Sequence, residues 1–302
     1  MQIAVAATPE VAIPTLELLL KSGHQLSAVI TQPDRPAGRG LSLKESAVAA
    51  WAVKNRIALF KPESQDELAQ IAGRFDLIIT IGYGMIIREE ILDLPKFGFI
   101  NLHFSLLPRW RGAAPVQRAI ESGDEVTGVT VFKLDKGMDT GPIYRQQSAE
   151  IRSDATSASL LKELAVLGAP VVLETISAIA QGDTPKTQET TGATRAEKLT
   201  RDEGRIDWSM PAEVISRKIR AFFPSPGSWT TFRGSVIRIE RVSIGTDAIG
   251  KPGEIAVVEK TLIVSCGEGS LKVIDVKAAG KSTMPASAWL NGAQPKSGES
   301  FQ

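Results

Sequence analysis

Two short stretches hold residues able to do acid–base work. Residues 98 to 112, GFINLHFSLLPRWRG, set Asn101 and His103 two positions apart, and residues 135 to 141, DKGMDTG, offer Asp139 from a glycine-bordered turn. His103 is one of only two histidines in 302 residues. If GFINLH is a strand, residues two apart project to one face, so the amide and the imidazole stand side by side. An amide donor, an imidazole and a carboxylate suit direct acyl transfer, in which an incoming amine attacks a carbonyl. Donors on Asn101 and protonated His103 would hold the developing oxyanion. Asp139 would attract the charged ring and accept or relay the proton lost by the amine. Two other readings use the same residues: an ordinary hydrogen-bonded histidine at a strand end, and a serine triad built on Ser105. Ser105 lies two residues after His103 and lacks the sharp G-x-S-x-G elbow that exposes a serine nucleophile.

The elements around these residues must bring them together. QIAVAAT, LSAVIT, IALF, DLIITI and GFINLH read as strands. They alternate with the helical patterns VAIPTLELLLKSG, LKESAVAAWAVKN, SQDELAQIAGRF and MIIREEILDL, the third opened by Ser64 as an N-cap. AAPVQRAIESGD then reads as a helix, TGVTVFKL and PIYRQQSAEI as strands, and residues 157 to 182 as a long amphipathic helix that Pro170 bends or divides. This alternation predicts a Rossmann-like α/β domain over residues 1 to 182, with a predominantly parallel sheet and its ligands beyond the carboxyl ends of the strands. Residues 183 to 204 turn polar and threonine-rich, which predicts a linker. Residues 205 to 302 open on the helix AEVISRKIRAF and continue as short, regularly spaced strands, predicting a smaller OB-like β-barrel. The tail NGAQPKSGESFQ is low in apolar residues and is expected to fray.

Composition narrows the chemistry. A net charge of +1 excludes inferring a nucleic acid partner from bulk charge. From Thr184 onward 17 basic residues face 13 acidic ones, which suits a solvated surface or a polyanion-binding face equally well. No apolar stretch is expected to reach the roughly 20 residues that cross a bilayer, and MQIAVAATPE lacks the basic start and apolar centre of a secretory signal. A cytoplasmic protein with no membrane partner is expected. Two histidines and one cysteine leave little material for a metal site, so none is assigned. Cys266, in LIVSCGEGS, reads as a small buried side chain. The first strand-to-helix turn, AVAATPEVA, has no G-x-G-x-x-G and so does not suit a dinucleotide.

Six motifs carry a resemblance over nearly the whole chain: ATPEVA near the start, QPDRPAGRG at 32 to 40, IGYG at 81 to 84, NLHFSLLPRWRGAAPVQRAI at 101 to 120, DKGMDTGPI at 135 to 143 and RIDW at 205 to 208. The sequence resembles the 10-formyltetrahydrofolate-dependent formyltransferases. QPDRPAGRG with a C-terminal barrel is similar to the branch of that family acting on methionyl initiator tRNA. The resemblance implies 10-formyltetrahydrofolate as co-substrate, methionyl initiator tRNA as acceptor, no metal and no obligate protein partner. It implies Asn101, His103 and Asp139 as the catalytic trio and Tyr83 as part of a pteridine pocket. Ser105, Leu106, Leu107 and Pro108 would contact the folate. Arg35, Arg39 and Lys44 would meet the tRNA acceptor end, with Arg109 and Arg111 at the folate or the RNA. The chain departs from the family in keeping only Lys44 after the 32 to 40 loop, where adjacent lysines are common, and in placing Phe104 where glycine is common. Strand alternation predicts that Phe104 fills the other face of the sheet. Other functions weighed are formylation of a sugar amine or purine precursor, a folate hydrolase, and an inactive tRNA-binding protein.

Overall fold

The structure, a computed structural model, describes all residues except 38–41, 246–249 and 297. Its first sheet has seven strands: β1 (Gln2–Ala7), β2 (Gln25–Ile30), β3 (Ala58–Phe60), β4 (Leu77–Ile81), β5 (Phe99–His103), β6 (Val126–Lys133) and β7 (Ile143–Glu150). They lie in the order β7-β6-β5-β4-β1-β2-β3. β1 to β5 run parallel, while β6 and β7 are antiparallel to their neighbours. All five residues of β4 are buried, as are five of the six in β1. Strands covered on both faces need such continuous apolar runs rather than alternation. The order reverses at β1, which has β2 on one side and β4 on the other, the arrangement that opens a ligand crevice beyond the strand ends.

Local chemistry sets the helix limits. Ser64 caps Gln65–Ala72 as predicted, its hydroxyl accepting from the Glu67 amide at 3.2 Å. Ser46 caps Ala47–Lys54 in the same way, accepting from Ala49 at 3.0 Å, so this helix starts later than the pattern LKES suggests. Ser42–Lys44 instead pairs antiparallel with Arg35–Ala37. MIIREEILDL keeps a single helical turn, Glu89–Leu92. Ser157–Ala180 runs unbroken through Pro170. The missing proline amide orphans the carbonyl of Val166, whose residue is 64% exposed, where water can serve it. Contrary to expectation, this helix is long and apolar enough by composition to cross a bilayer. Of its most apolar window 56% is buried inside the protein, as in a core helix.

By contact the chain divides into two units. One comprises Met1–Pro115, Val126–Glu150 and Leu161–Ala196; the other comprises Val116–Glu125, Ile151–Leu160 and Glu197–Gln302. The polar stretch 183 to 204 is therefore shared, its first part packed into the sheet-bearing unit. The second unit contains helix Ala212–Phe222, the span predicted. Its antiparallel sheet runs Ser228–Phe232, Ser235–Gly245, Ser270–Ala278, Thr261–Ser265, Ile255–Val258 in spatial order, with Met284–Pro285 added against Ser270–Ala278. The α/β class with a smaller β unit is thus the architecture predicted. Phe301 and Gln302, in the stretch expected to fray, are held in place. Phe301 is 3% exposed and stacks on Trp208 with ring centroids 5.7 Å apart, and Gln302 and Thr231 exchange two backbone hydrogen bonds of 3.0 Å. One buried aromatic ring anchors a segment that is otherwise polar.

Candidate active site

β5 carries Asn101 between Thr80 of β4 and Phe132 of β6, and sets His103 opposite Thr130 of β6. His103 is only 6% exposed, and its Nε2 lies 2.9 Å from the carbonyl oxygen of Trp110. A carbonyl only accepts, so Nε2 carries a hydrogen and Nδ1 is the nitrogen left for chemistry. Nδ1 faces Asp139, 3.7 Å from Oδ2.

The groups on both sides of the ring are held in unusual backbone. Trp110 has φ +63° and Asp139 φ +54°, in the left-handed region that side-chain-bearing residues seldom occupy. Asp139 Oδ2 accepts from the Gly112 amide at 2.7 Å. Gly112 has φ +124°, and a Cβ there would lie 2.6 Å from the Ala196 carbonyl oxygen, so the close approach needs glycine. Asp135 shapes the same loop, its carboxylate accepting from the Gly137 amide (3.0 Å) and the Thr140 hydroxyl (2.8 Å).

A strap of chain from 188 to 196 runs against this site. Arg111–Gly112 pairs parallel with Arg195–Ala196. The amides of Arg111 and Ala114 donate to the carbonyls of Thr194 (2.9 Å) and Ala196 (3.2 Å), and the Trp110 amide donates to Thr194 Oγ1 (2.9 Å). Gln188 is buried with its amide fully used. Nε2 donates to the carbonyls of Asp139 (2.9 Å) and Gly141 (2.7 Å), while Oε1 accepts from Arg111 Nε (3.1 Å) and Nη2 (2.7 Å). Sequence reasoning missed Gly112, Gln188 and Thr194 because isolated polar contacts leave no periodic trace.

Asn101 and Asp139 both line a cleft of about 480 Å³, together with Tyr83, Ile86, Leu134 and Met138. That size suits a small molecule. Gly82 (φ +55°) and Gly84 (φ +80°) make the turn after β4 that forms one wall. Ile86 and Met138 are 82% and 62% exposed, apolar surface left open in the cleft. Tyr83 is buried, its hydroxyl has no hydrogen-bond partner among the described residues, and burial pushes its phenol up to about 12. His103 is not a lining residue and meets the cleft through Asp139.

The other residues singled out in the sequence lie elsewhere. Ser105 is fully buried and its hydroxyl donates to the Arg109 carbonyl at 2.6 Å, which removes it as a nucleophile. Thr130 Oγ1 donates to the Ser105 carbonyl (2.7 Å) and accepts from the Leu107 amide (3.1 Å), and Gln146 donates to the Leu107 carbonyl (2.9 Å). Ser105, Leu106, Leu107 and Pro108 are thus in a turn bonded into the protein, and none lines the cleft. Phe104 is buried and also absent from the lining. Arg109 lies 4.6 Å above the ring of Trp110, and Arg111 turns inward to Gln188. Arg35 and Lys44 are exposed and sit opposite each other in a short ladder, and Arg35 donates to Gln32 at 3.0 Å. Arg39 lies outside the described residues.

A mainly parallel sheet that delivers an amide and an imidazole from one strand toward a carboxylate at an apolar cleft defines an α/β group-transfer protein. Residues 1–176 match the family model of formyl transferase and residues 198–294 that of the formyl transferase C-terminal domain; the chain belongs to the formyl transferase family. A methionyl-tRNA formyltransferase of Thermobifida fusca (strain YX) is 41% identical over 309 residues, covering 100% of this chain and 99% of the relative. Another, from Pseudomonas putida (strain GB-1), is 42% identical over 302 residues, covering 98% and 97%. Among solved structures, HypX from Aquifex aeolicus in complex with tetrahydrofolic acid shares the fold with a TM-score of 0.70 at 18% identity. That match covers 99% of this chain but 48% of HypX, so the chain spans about half of that protein. The sugar 3N-formyl transferase WlaRD, crystallised in the presence of dTDP and 5-N-formyl-THF, has a TM-score of 0.69 at 19% identity, covering 93% of this chain and 99% of WlaRD.

Proposed function

We propose that this protein transfers the formyl group of 10-formyltetrahydrofolate to the free amino group of methionyl initiator tRNA. The observation that carries the reading is the meeting of Asn101 and Asp139 in one cleft with His103 directly behind the carboxylate. The full-length relatives named methionyl-tRNA formyltransferase support the choice of acceptor. The cleft suits a flat heterocyclic donor: its size fits a small molecule, and Tyr83, Ile86, Leu134 and Met138 make its walls largely apolar.

The amine nitrogen attacks the formyl carbon, and the carbonyl oxygen takes up negative charge. The Asn101 amide stabilises that oxyanion, and His103, whose Nε2 is committed to Trp110, presents Nδ1 to Asp139 and moves protons to and from its carboxylate. Asp139 accepts the proton that the amine loses. Collapse breaks the bond from the formyl carbon to the folate nitrogen, which leaves with a proton returned from the site. No nucleophile from the protein is required. Arg35, Arg39, Lys44 and Arg109 are assigned to the tRNA acceptor end. Arg111 is assigned to bracing the site, and the turn 105–108 to supporting the strand end that carries His103.

The test incubates the pure protein with labelled 10-formyltetrahydrofolate and charged initiator tRNA, with uncharged tRNA as control. Asn101→Ala should lower kcat about 100 to 1000-fold, the cost of losing one oxyanion donor, and His103→Ala at least about 100-fold through lost proton transfer at Asp139, both with cooperative melting retained. Wild-type turnover in either variant removes its catalytic role. Formate release at the same rate without aminoacyl-tRNA, or transfer to a sugar amine in place of tRNA, overturns the assignment of acceptor.

A further inference from the structure

We infer that the strap 188–196 belongs to the catalytic apparatus, with Gln188 and Thr194 as positioning residues that hold the two groups facing the two ring nitrogens of His103. This rests on the formyl-transfer reading of the site. Nε2 meets the carbonyl of Trp110, whose own amide is held by Thr194 Oγ1. Nδ1 meets the carboxylate of Asp139, whose own carbonyl is held by Gln188 Nε2. Each nitrogen of the imidazole is therefore two contacts from the same short segment.

The hold is needed because neither partner rests in relaxed backbone. Trp110 and Asp139 both stand at positive φ, a conformation that persists in such residues only where the surroundings over-determine it. Gln188 supplies that constraint with every hydrogen-bonding group of its side chain. It ties Asp139 and Gly141 on one side of the loop, while Arg111, the residue after Trp110, grips its oxygen. Side chains that support a reactive constellation act by fixing distance, and a displacement of about 1 Å can lower turnover roughly 100-fold without touching substrate affinity.

The experiment compares kcat, KM and cooperative melting for the full-length wild type, Gln188→Glu, Thr194→Val and Thr194→Ser, with 10-formyltetrahydrofolate and methionyl initiator tRNA as substrates. Gln188→Glu keeps the size and the acceptor for Arg111 but cannot donate to the carbonyls of Asp139 and Gly141. Thr194→Val keeps the shape and loses the acceptor for Trp110, which Thr194→Ser restores. Gln188→Glu and Thr194→Val should lower kcat about 10 to 100-fold with KM for both substrates within about twofold, and Thr194→Ser should recover most of the loss. Unchanged kcat in Gln188→Glu, a loss in Thr194→Ser equal to that in Thr194→Val, or a loss accompanied by vanished cooperative melting overturns the inference. A wild-type protein that transfers no formyl group to methionyl-tRNA overturns instead the functional reading beneath it, and does so before any variant is compared.

Discussion

A buried imidazole serves a reaction only when one nitrogen is committed and the other is not. His103 meets that condition because the Trp110 carbonyl claims Nε2 and leaves Nδ1 toward Asp139. Cys266 is the opposite case, a reactive atom type in a place that silences it. It is 2% exposed in the core of the second unit, and burial pushes its thiol up to about 11, with a backbone hydrogen bond from Leu271 pulling weakly the other way. At pH 8 only about one molecule in a thousand then carries the thiolate, which is the form that reacts. Iodoacetamide should leave the native protein unlabelled at pH 8 and modify one thiol per chain in denaturing urea. The sign of the pH effect follows from the same shift. Between the ordinary thiol value near 8.5 and about 11, the unfolded chain has lost a proton that the folded chain retains, so stability falls as pH rises through that window. Rapid labelling of the native protein at pH 8, or a urea midpoint that rises toward pH 10, would contradict the burial argument.

At the scale of elements, a two-residue ladder matters as much as a seven-stranded sheet. Arg111–Gly112 against Arg195–Ala196 is short, yet it brings the Gly112 amide onto Asp139. Gly112→Ala combines two faults, a Cβ in a φ of +124° and a clash at 2.6 Å with the Ala196 carbonyl. The ladder must open and take the donor away from the carboxylate. Melting should report a loss of about 1 to 3 kcal/mol, and turnover should fall at least about tenfold. Wild-type values for both would show that the ladder is dispensable. The same contrast explains what was legible in the sequence. β1, β4 and β5 announce themselves because doubly covered strands are runs of apolar residues, and helix Ala212–Phe222 because its apolar face repeats. The spacing of Asn101 and His103 was readable for the same reason, since a strand fixes which residues share a face. The strap was not readable. Its grip is polar and made by single residues, Gln188 reaching Asp139 across 49 positions, so composition presents it as a linker. The ladders at Arg35–Ala37 and Ser42–Lys44 are equally invisible, being too short to show a period.

At the scale of the whole molecule, each unit is completed by segments that composition assigns elsewhere. Val116–Glu125 and Ile151–Leu160 join the second unit through contacts such as Arg118 with Glu203 (2.7 Å) and Ser157 Oγ with the Phe223 carbonyl (2.7 Å). Phe301 is the extreme case. A residue in a stretch as polar as 291–302 is ordinarily among the cheapest to change, because such stretches carry few contacts. Phe301 instead stacks on Trp208 and meets Phe232 and Trp289 at ring-centroid distances of 5.9 Å, and its amide donates to the Gly253 carbonyl at 2.9 Å. It is the side chain that closes the core formed by Trp208, Phe232, Leu262, Val264 and Leu271. Removing the ring leaves a cavity among three aromatic neighbours that cannot all collapse into it. Phe301→Ala should therefore cost about 3 to 5 kcal/mol, the range for deleting a buried aromatic side chain, and Phe301→Leu clearly less. Urea denaturation of the full-length variants checks this. A midpoint for Phe301→Ala equal to that of the wild type would mean that the terminus contributes nothing to the core, and that the stacked geometry does not persist in solution.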